Sequence, residues 1–155
     1  MSDTVFDRLS GQLKQQAIDF EVMKHAPVFT SEEAARVRGT DLASGAKALV
    51  CKADGQMVMF VLPADRRLAS KQVRRQRGIK SLRFASREEV LELTGLAPGS
   101  IPPFGSLFGI PTFCDALLRE HDHINFNAGD HAISISMRCE DYLISEKPEI
   151  GDFAE

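Results

Sequence analysis

Apolar residues recur at helical spacing from the start of the chain. Val5, Phe6, Leu9, Leu13 and Ala17 share one side of the segment Thr4 to Ala17, opposite Lys14, Gln15 and Gln16, which predicts an amphipathic helix. The period then changes to two over Phe20–Met23, a short strand that ends at His25-Ala26-Pro27. Thr30 with Glu33 has the form of a capping box and Gly39 suits a left-handed helix end, so Ser31 to Arg38 reads as a short helix. Lys47–Lys52 and Met57–Leu62 are apolar, partly β-branched runs joined through Ala53-Asp54-Gly55, a strong hairpin signal. Asp65 is placed to cap a basic helix from Arg66 to Gln76 that stops at Gly78, with Leu68, Ala69 and Val73 as its apolar side.

Further along, Ser81–Ala85 reads as a strand, and Ser86 with Glu89 opens a second capped helix ending near Gly95. Leu96 to Gly105 combines three prolines and two glycines with apolar residues where a solvent loop would be polar, which suggests a stiff loop lining a pocket. Pro111–Cys114 and Ile124–Phe126 read as strands, Asn127 to Asp130 as a turn, Ala132–Met137 as an alternating strand begun by His131, and Cys139–Ser145 as a closing helix. The intermixed helices and strands, without repeats or linkers, predict one α+β domain over residues 1–155.

Composition narrows the class. A chain of 155 residues that is 43% hydrophobic and 26% charged suits one soluble core. Three dispersed cysteines argue against a disulfide framework or a cysteine-based zinc site, and fit a reducing cytoplasm. No stretch reaches the ~20 apolar residues of a membrane span, and the acidic start Met1-Ser2-Asp3 is unlike a secretory signal. The net charge of −3 hides segregation: Arg66, Arg67, Lys71, Arg74, Arg75, Arg77, Lys80 and Arg83 follow one another with no acid between them, a positive face fit to hold a polyanion. A merely solvated helix face is the alternative.

Candidate chemistry is sparse. Lys47 interrupts the apolar run Ala46–Val50, where it either meets an anionic ligand or points to water from an edge. Glycines in Gly99–Gly105 allow close backbone approach to a ligand, yet the loop is neither a Walker loop nor a dinucleotide fingerprint. His121 and His123 lack an evident third ligand, so no metal or cofactor is expected. His25 reads locally as a hydrogen-bonding residue. No Gly-x-Ser-x-Gly elbow occurs, and Cys51 and Cys114 sit in apolar strands as inert thiols.

The ordered segments His25-Ala-Pro-Val-Phe-Thr-Ser-Glu-Glu, Gly45-Ala-Lys47-Ala-Leu-Val, Phe60-Val-Leu-Pro-Ala-Asp, Gly99-Ser-Ile-Pro-Pro-Phe-Gly105 and Asn127-Ala-Gly-Asp-His131 resemble the YbaK/EbsC family. That is the family of the editing domain of bacterial prolyl-tRNA synthetase and its free-standing relatives. The resemblance implies a mixed, barrel-like β-sheet flanked by helices. It also implies a trans-acting hydrolase that removes a wrong aminoacyl group, Cys or Ala in the first instance, from tRNA(Pro) by substrate-assisted attack of water. In that reading Lys47, Gly99, Ser100, Pro103 and His131 are the catalytic positions, and His25, Thr30, Ile101 and Gly105 contact substrate. From its charge, and not from the family motif, the basic stretch Arg66, Arg67, Lys71, Arg74, Arg75 and Arg77 would lie along the acceptor end of the tRNA, with prolyl-tRNA synthetase or an elongation factor as candidate partners. The competing readings are a tRNA-end-binding module without turnover and a small-molecule esterase that has no need of the cations.

Overall fold

The computed structural model describes residues 4–155; the acidic tripeptide Met1–Asp3 lies outside the described residues. Five helices and eight strands alternate along the chain: α1 (Val5–Gln15), β1 (Phe20–Lys24), α2 (Ser31–Arg38), β2 (Ala46–Ala53), β3 (Gln56–Pro63), α3 (Ser70–Arg77), β4 (Leu82–Phe84), α4 (Arg87–Thr94), β5 (Thr112–Asp115), β6 (His123–Asp130), β7 (Ile133–Arg138), α5 (Cys139–Glu146) and β8 (Glu149–Gly151). The strands form two sheets. One is antiparallel, in the order β1-β7-β6, and the other is mixed, in the order β4-β2-β3-β5-β8, with β5 parallel to both its neighbours. A single bridge between Gly45 and Asn125 joins them, so the expected barrel-like sheet is two sheets that do not close into a barrel.

Local signals build most elements. Thr4 and Ser86 cap α1 and α4 in reciprocal capping boxes, Thr30 caps α2, and Gly39, Gly78 and Gly95 end their helices in the left-handed conformation. Asp54 and Gly55, both at positive φ, close the β2–β3 hairpin with the backbone hand that such a tight connection requires.

Strand β3 is buried on both faces and therefore reads as an unbroken apolar run. Met59 and Val61 enter the main core with Leu9 and Leu13 of α1, Phe126, Ile135 and Tyr142. Val58, Phe60 and Leu62 face a second core completed by Leu68, Val73 and Phe153. Helix α3 rests on that second core through Val73 alone among its eight residues, and burying one such side chain contributes ~1.5–3 kcal/mol.

Three expectations are corrected. The basic helix begins at Ser70 rather than Arg66, and Asp65 does not cap it. Residues 67–69 instead pair with the chain end: Arg67 and Glu155 exchange backbone hydrogen bonds of 3.2 and 2.8 Å, and the Ala69 N–H donates to the Phe153 carbonyl at 2.8 Å. Asn127–Asp130 is not a turn but the last part of β6, with a register shift that accommodates Gly129 at φ 86°. A Cβ at Gly129 would lie 3.1 Å from Cβ of Val5, so the bulge also lets α1 approach. His131 consequently lies in the β6–β7 turn rather than on a strand, and β8 carried no signal of its own.

Candidate functional site

A cleft of about 350 Å³ opens where the two sheets meet, between α2, the start of β2, the Pro98–Ile101 loop and the middle of β6. Its walls carry Lys47, Thr30, Gly99 and Ile101 among the residues singled out from sequence. Its rim carries two exposed aromatic rings, Phe29 and Phe84.

Lys47 pairs with Leu62 across the hairpin and so shares the side of β2 that carries Leu49 and Cys51. It stands at the open end of the second core, half-buried, with no carboxylate within ion-pair distance among the described residues. Burial pushes its amine below the ordinary lysine range, the more distant Asp65 and Glu32 oppose this, and Arg67 adds to it. Lys47 thus sits between the cleft and the basic stretch.

The loop is held from behind by α5. The Tyr142 hydroxyl, fully buried, donates to the Pro103 carbonyl at 2.6 Å, and Thr112 Oγ1 donates to Glu146 at 2.6 Å while accepting the Gly105 N–H at 2.9 Å. A Cβ at Gly105 would fall 2.4 Å from Thr112 Oγ1, so only glycine fits there. Ser100 is buried, its hydroxyl donating to the Ala97 carbonyl at 2.8 Å, and its own carbonyl accepts the Gly129 N–H at 2.8 Å. Ser100, Pro103 and Gly105 therefore shape the loop from within, without lining the cleft. Gly99, at φ 91°, is the point where the loop backbone reaches the cleft wall.

Behind Gly99 stands His131. Its Nδ1 lies 3.1 Å from the Val28 carbonyl, which makes Nδ1 the donor of that bond. The Phe29 ring packs on it at 4.7 Å. His25 is half-buried, with Nδ1 donating to the Ala26 carbonyl and Nε2 accepting from the Ser134 hydroxyl, each at 2.8 Å. Neither histidine lines the cleft. The three thiols are buried away from it, Cys51 and Cys114 pushed up to about 12 and Cys139 also raised by burial, so none is a nucleophile at neutral pH. Among the described residues no cluster of three or more His, Cys, Asp or Glu is arranged to hold a metal ion.

The basic stretch divides. Arg66, Arg67, Lys71, Arg74 and Arg75 are exposed, and Arg66 makes a loose 4.0 Å pair with Asp65. Arg77 is occupied: it binds Glu149 and lies 5.0 Å from the ring centres of both Phe113 and Phe153. Arg83 is likewise held by both oxygens of Glu89, at 2.7 and 3.0 Å.

Sequence reasoning missed Arg38, Asn125 and Asn127. Arg38, the last residue of α2, donates to Ser134 Oγ, Asn125 Oδ1 and Asn127 Oδ1, each at 2.8 Å, and burial pushes it down to about 10, still charged at neutral pH. The available signal was the pair of asparagines two apart in a strand whose other positions, Ile124, Phe126 and Ala128, are apolar.

Chemically, the site offers a desolvated lysine, a stiff glycine-bearing backbone edge, a fixed guanidinium and no side-chain nucleophile of raised reactivity, which suits hydrolysis by water of a bound ester. A family model described as the aminoacyl-tRNA editing domain matches residues 25–143. A multifunctional Ser/Thr-tRNA deacylase of Escherichia coli, ProXp-y, is 40% identical over 151 residues, covering 94% of this chain and 90% of that protein. A proline–tRNA ligase of Shouchella clausii is 35% identical over 101 residues, covering 65% of this chain and 18% of the ligase. A solved structure described as a candidate trans-editing enzyme for prolyl tRNA synthetase superposes with a TM-score of 0.86 at 25% identity, covering 100% of this chain and 99% of that one.

Proposed function

The chain belongs to the aminoacyl-tRNA editing domain family, and from that premise we propose that it is a trans-acting aminoacyl-tRNA deacylase, a hydrolase of the ester that joins a wrong amino acid to the tRNA end. The observation that carries this reading is the position of Lys47: on the cleft wall on one side, beside Arg67 and the exposed cations on the other. A ligand with a small ester at one end and a string of phosphates behind it fits both at once. A small-molecule esterase has no use for the second half.

In this mechanism Lys47 anchors the phosphate or ribose of the terminal adenosine, a positioning role. The ester carbonyl meets the Gly99–Ile101 backbone edge, where the Ser100 N–H is taken by the Ala97 carbonyl at 3.3 Å and the N–H groups of Gly99 and Ile101 are the ones suited to the negative charge that develops on its oxygen. Water adds to the carbonyl carbon, the bond to the ribose oxygen breaks, and that oxygen leaves as the hydroxyl of the tRNA. The ribose hydroxyl next to the ester orients the water, in keeping with the inert thiols.

For the aminoacyl group, seryl and threonyl esters stand first, on the likeness to the Escherichia coli deacylase, ahead of the Cys and Ala esters the sequence suggested. The cleft wall holds polar residues beside which a hydroxyl can be met, Ser31 and Asn127 among them, whereas the Thr30 hydroxyl is spent on the cap of α2. Sites that hydrogen-bond a hydroxyl discriminate far more strongly than apolar pockets do. The tRNA, the contact of the basic stretch with its acceptor end, and cooperation with prolyl-tRNA synthetase or an elongation factor in the cytoplasm are parts of the same proposal.

The test is a deacylation panel: tRNA charged with Ser, Thr, Ala, Cys or Pro, with Lys47→Ala beside the wild-type protein. Rapid loss of one or two small non-cognate esters, sparing Pro-tRNA and lost in the variant, is the expected result. Binding of tRNA without turnover of any ester would leave a tRNA-end-binding module in its place.

A further inference from the structure

The guanidinium of Arg38 contributes three of its five donors to three neutral oxygens, and among the described residues no carboxylate lies within ion-pair distance of it. What those bonds fix is the direction of two side-chain amides. With Oδ1 of Asn127 turned to Arg38, its Nδ2 must face the other way, where it donates to the Gly99 carbonyl at 2.7 Å. With Oδ1 of Asn125 turned to Arg38, its Nδ2 donates to Ser44 Oγ at 2.9 Å, and Ser44 in turn donates to the Asp41 carbonyl at 2.7 Å. Ser44 immediately precedes Gly45, which bridges to Asn125, and Lys47 follows two residues later. One side chain thus reaches both halves of the cleft.

An amide that turned over would present oxygen to oxygen at Gly99, where a hydrogen bond now stands. The Gly99 carbonyl, an acceptor, and the donor fork of Arg38 on the opposite side together oppose this, and a guanidinium supplies that fork in a fixed plane, which an ammonium does not. The third arm, to Ser134, holds the guanidinium itself: the Ser134 hydroxyl donates to His25 Nε2 and accepts from Arg38 Nε.

We propose that Arg38 is a positioning residue of the deacylation site, which sets the amide directions of Asn127 and Asn125 and through them the placement of the Gly99 carbonyl and of the strand entry that carries Lys47. The inference rests on the deacylase reading for its kinetic consequence and on the hydrogen-bond chain alone for its structural one.

The experiment measures single-turnover deacylation on the ester that the wild-type protein cleaves best, for Arg38→Ala, Arg38→Lys, Asn127→Ala and Arg38→Ala with Asn127→Ala. Arg36→Ala, an exposed residue on the same helix, is the control. Thermal melts and hydrogen exchange of residues 96–105 are recorded for each. Each single variant should lose at least tenfold in the maximal rate with less than a threefold change in half-saturating concentration, and the double variant should lose no more than Arg38→Ala. Added guanidinium should restore part of the rate of Arg38→Ala and none of Asn127→Ala, and Arg38→Lys should stay low. Folded variants that keep rates within twofold, a loss confined to half-saturation, or additive losses would overturn the proposal. Should the wild-type protein cleave no ester, the deacylase reading falls. Faster exchange at residues 96–105 in Arg38→Lys, at an unchanged melting temperature, still supports the positioning role, and unchanged exchange overturns it. Asn127→Ala, which leaves the bonds of Arg38 to Ser134 and Asn125 in place, serves if Arg38→Ala does not fold.

Discussion

Replacing Arg77 should destabilise the protein and leave tRNA binding untouched, whereas replacing Arg74 or Arg75 should do the reverse. Arg77 lies against two phenyl rings, each at 5.0 Å, and an ion pair with Glu149 that is partly open to solvent. A cation over one ring contributes ~0.5–1 kcal/mol at such sites and an exposed ion pair ~0.2–1 kcal/mol, so Arg77→Ala should cost about 1–3 kcal/mol. For a domain of this size a loss near 2 kcal/mol lowers Tm by about 4–8 °C. Alanine is a good helix former, so the change removes the ring and carboxylate partners of the guanidinium without unwinding α3. Arg74 and Arg75 are exposed and without an ion-pair partner among the described residues, so their alanine variants should melt within a degree or so of wild type. The assay pairs thermal melting with tRNA affinity over a range of salt. Each phosphate left without its cation should lower the slope of log K against log salt by about 1 for Arg74→Ala and Arg75→Ala, and by nothing for Arg77→Ala. A wild-type melt for Arg77→Ala together with a reduced slope would refute the division of the basic stretch into free and occupied cations.

Two further outcomes follow from the site. Lys47→Met should abolish turnover yet leave the fold at least as stable as the wild type, because the amine is partly desolvated without an ion-pair partner. Its folded pKa lies below its ordinary value of 10.5, so the charged form costs the folded state at neutral pH, and the gain of the methionine variant over wild type should shrink as pH rises toward that value; a gap that widens with pH would contradict this. Gly105→Ala should lose about 1–3 kcal/mol in urea unfolding, since its Cβ meets Thr112 Oγ1 and the Ile110 carbonyl, while Gly11→Ala, on a helix with open space around it, should gain ~0.5–1 kcal/mol.

The parts of the molecule legible in the sequence are those settled within a few residues. Thr30 and Gly39 bound α2, Ser86 and Gly95 bound α4, and Asp54-Gly55 closes its hairpin, because caps and tight turns are local chemistry. Helix α3 was misplaced by four residues because the backbone of Arg67–Ala69 bonds to Phe153 and Glu155, a choice made far away in the chain. Asn127-Ala-Gly-Asp has the composition of a turn, yet β7 pairs alongside it and Gly129 forms a bulge. Lys47 and the Gly99 loop stood out as breaks in pattern: a charge in an apolar run, and apolar residues in a loop. Arg38 did not, because an arginine at the end of a short helix is ordinary until the β6–β7 sheet folds against it.

The pairing of residues 67–69 with residues 153–155, far later in the chain, also sets an order of assembly during synthesis. Ala69 waits about 85 residues for the Phe153 carbonyl, and at ~5–20 residues per second that is on the order of 4–17 s at the ribosome. Over that interval Leu68, Val73 and Phe60 lack the Phe153 ring that later covers them, and the Asp115 carboxylate, once made, lacks until its end the Phe153 and Ala154 N–H groups that bind it, each at 2.8 Å. The nascent chain therefore carries the basic segment of α3 over an unfinished underside until Phe153, Ala154 and Glu155 arrive to seal it.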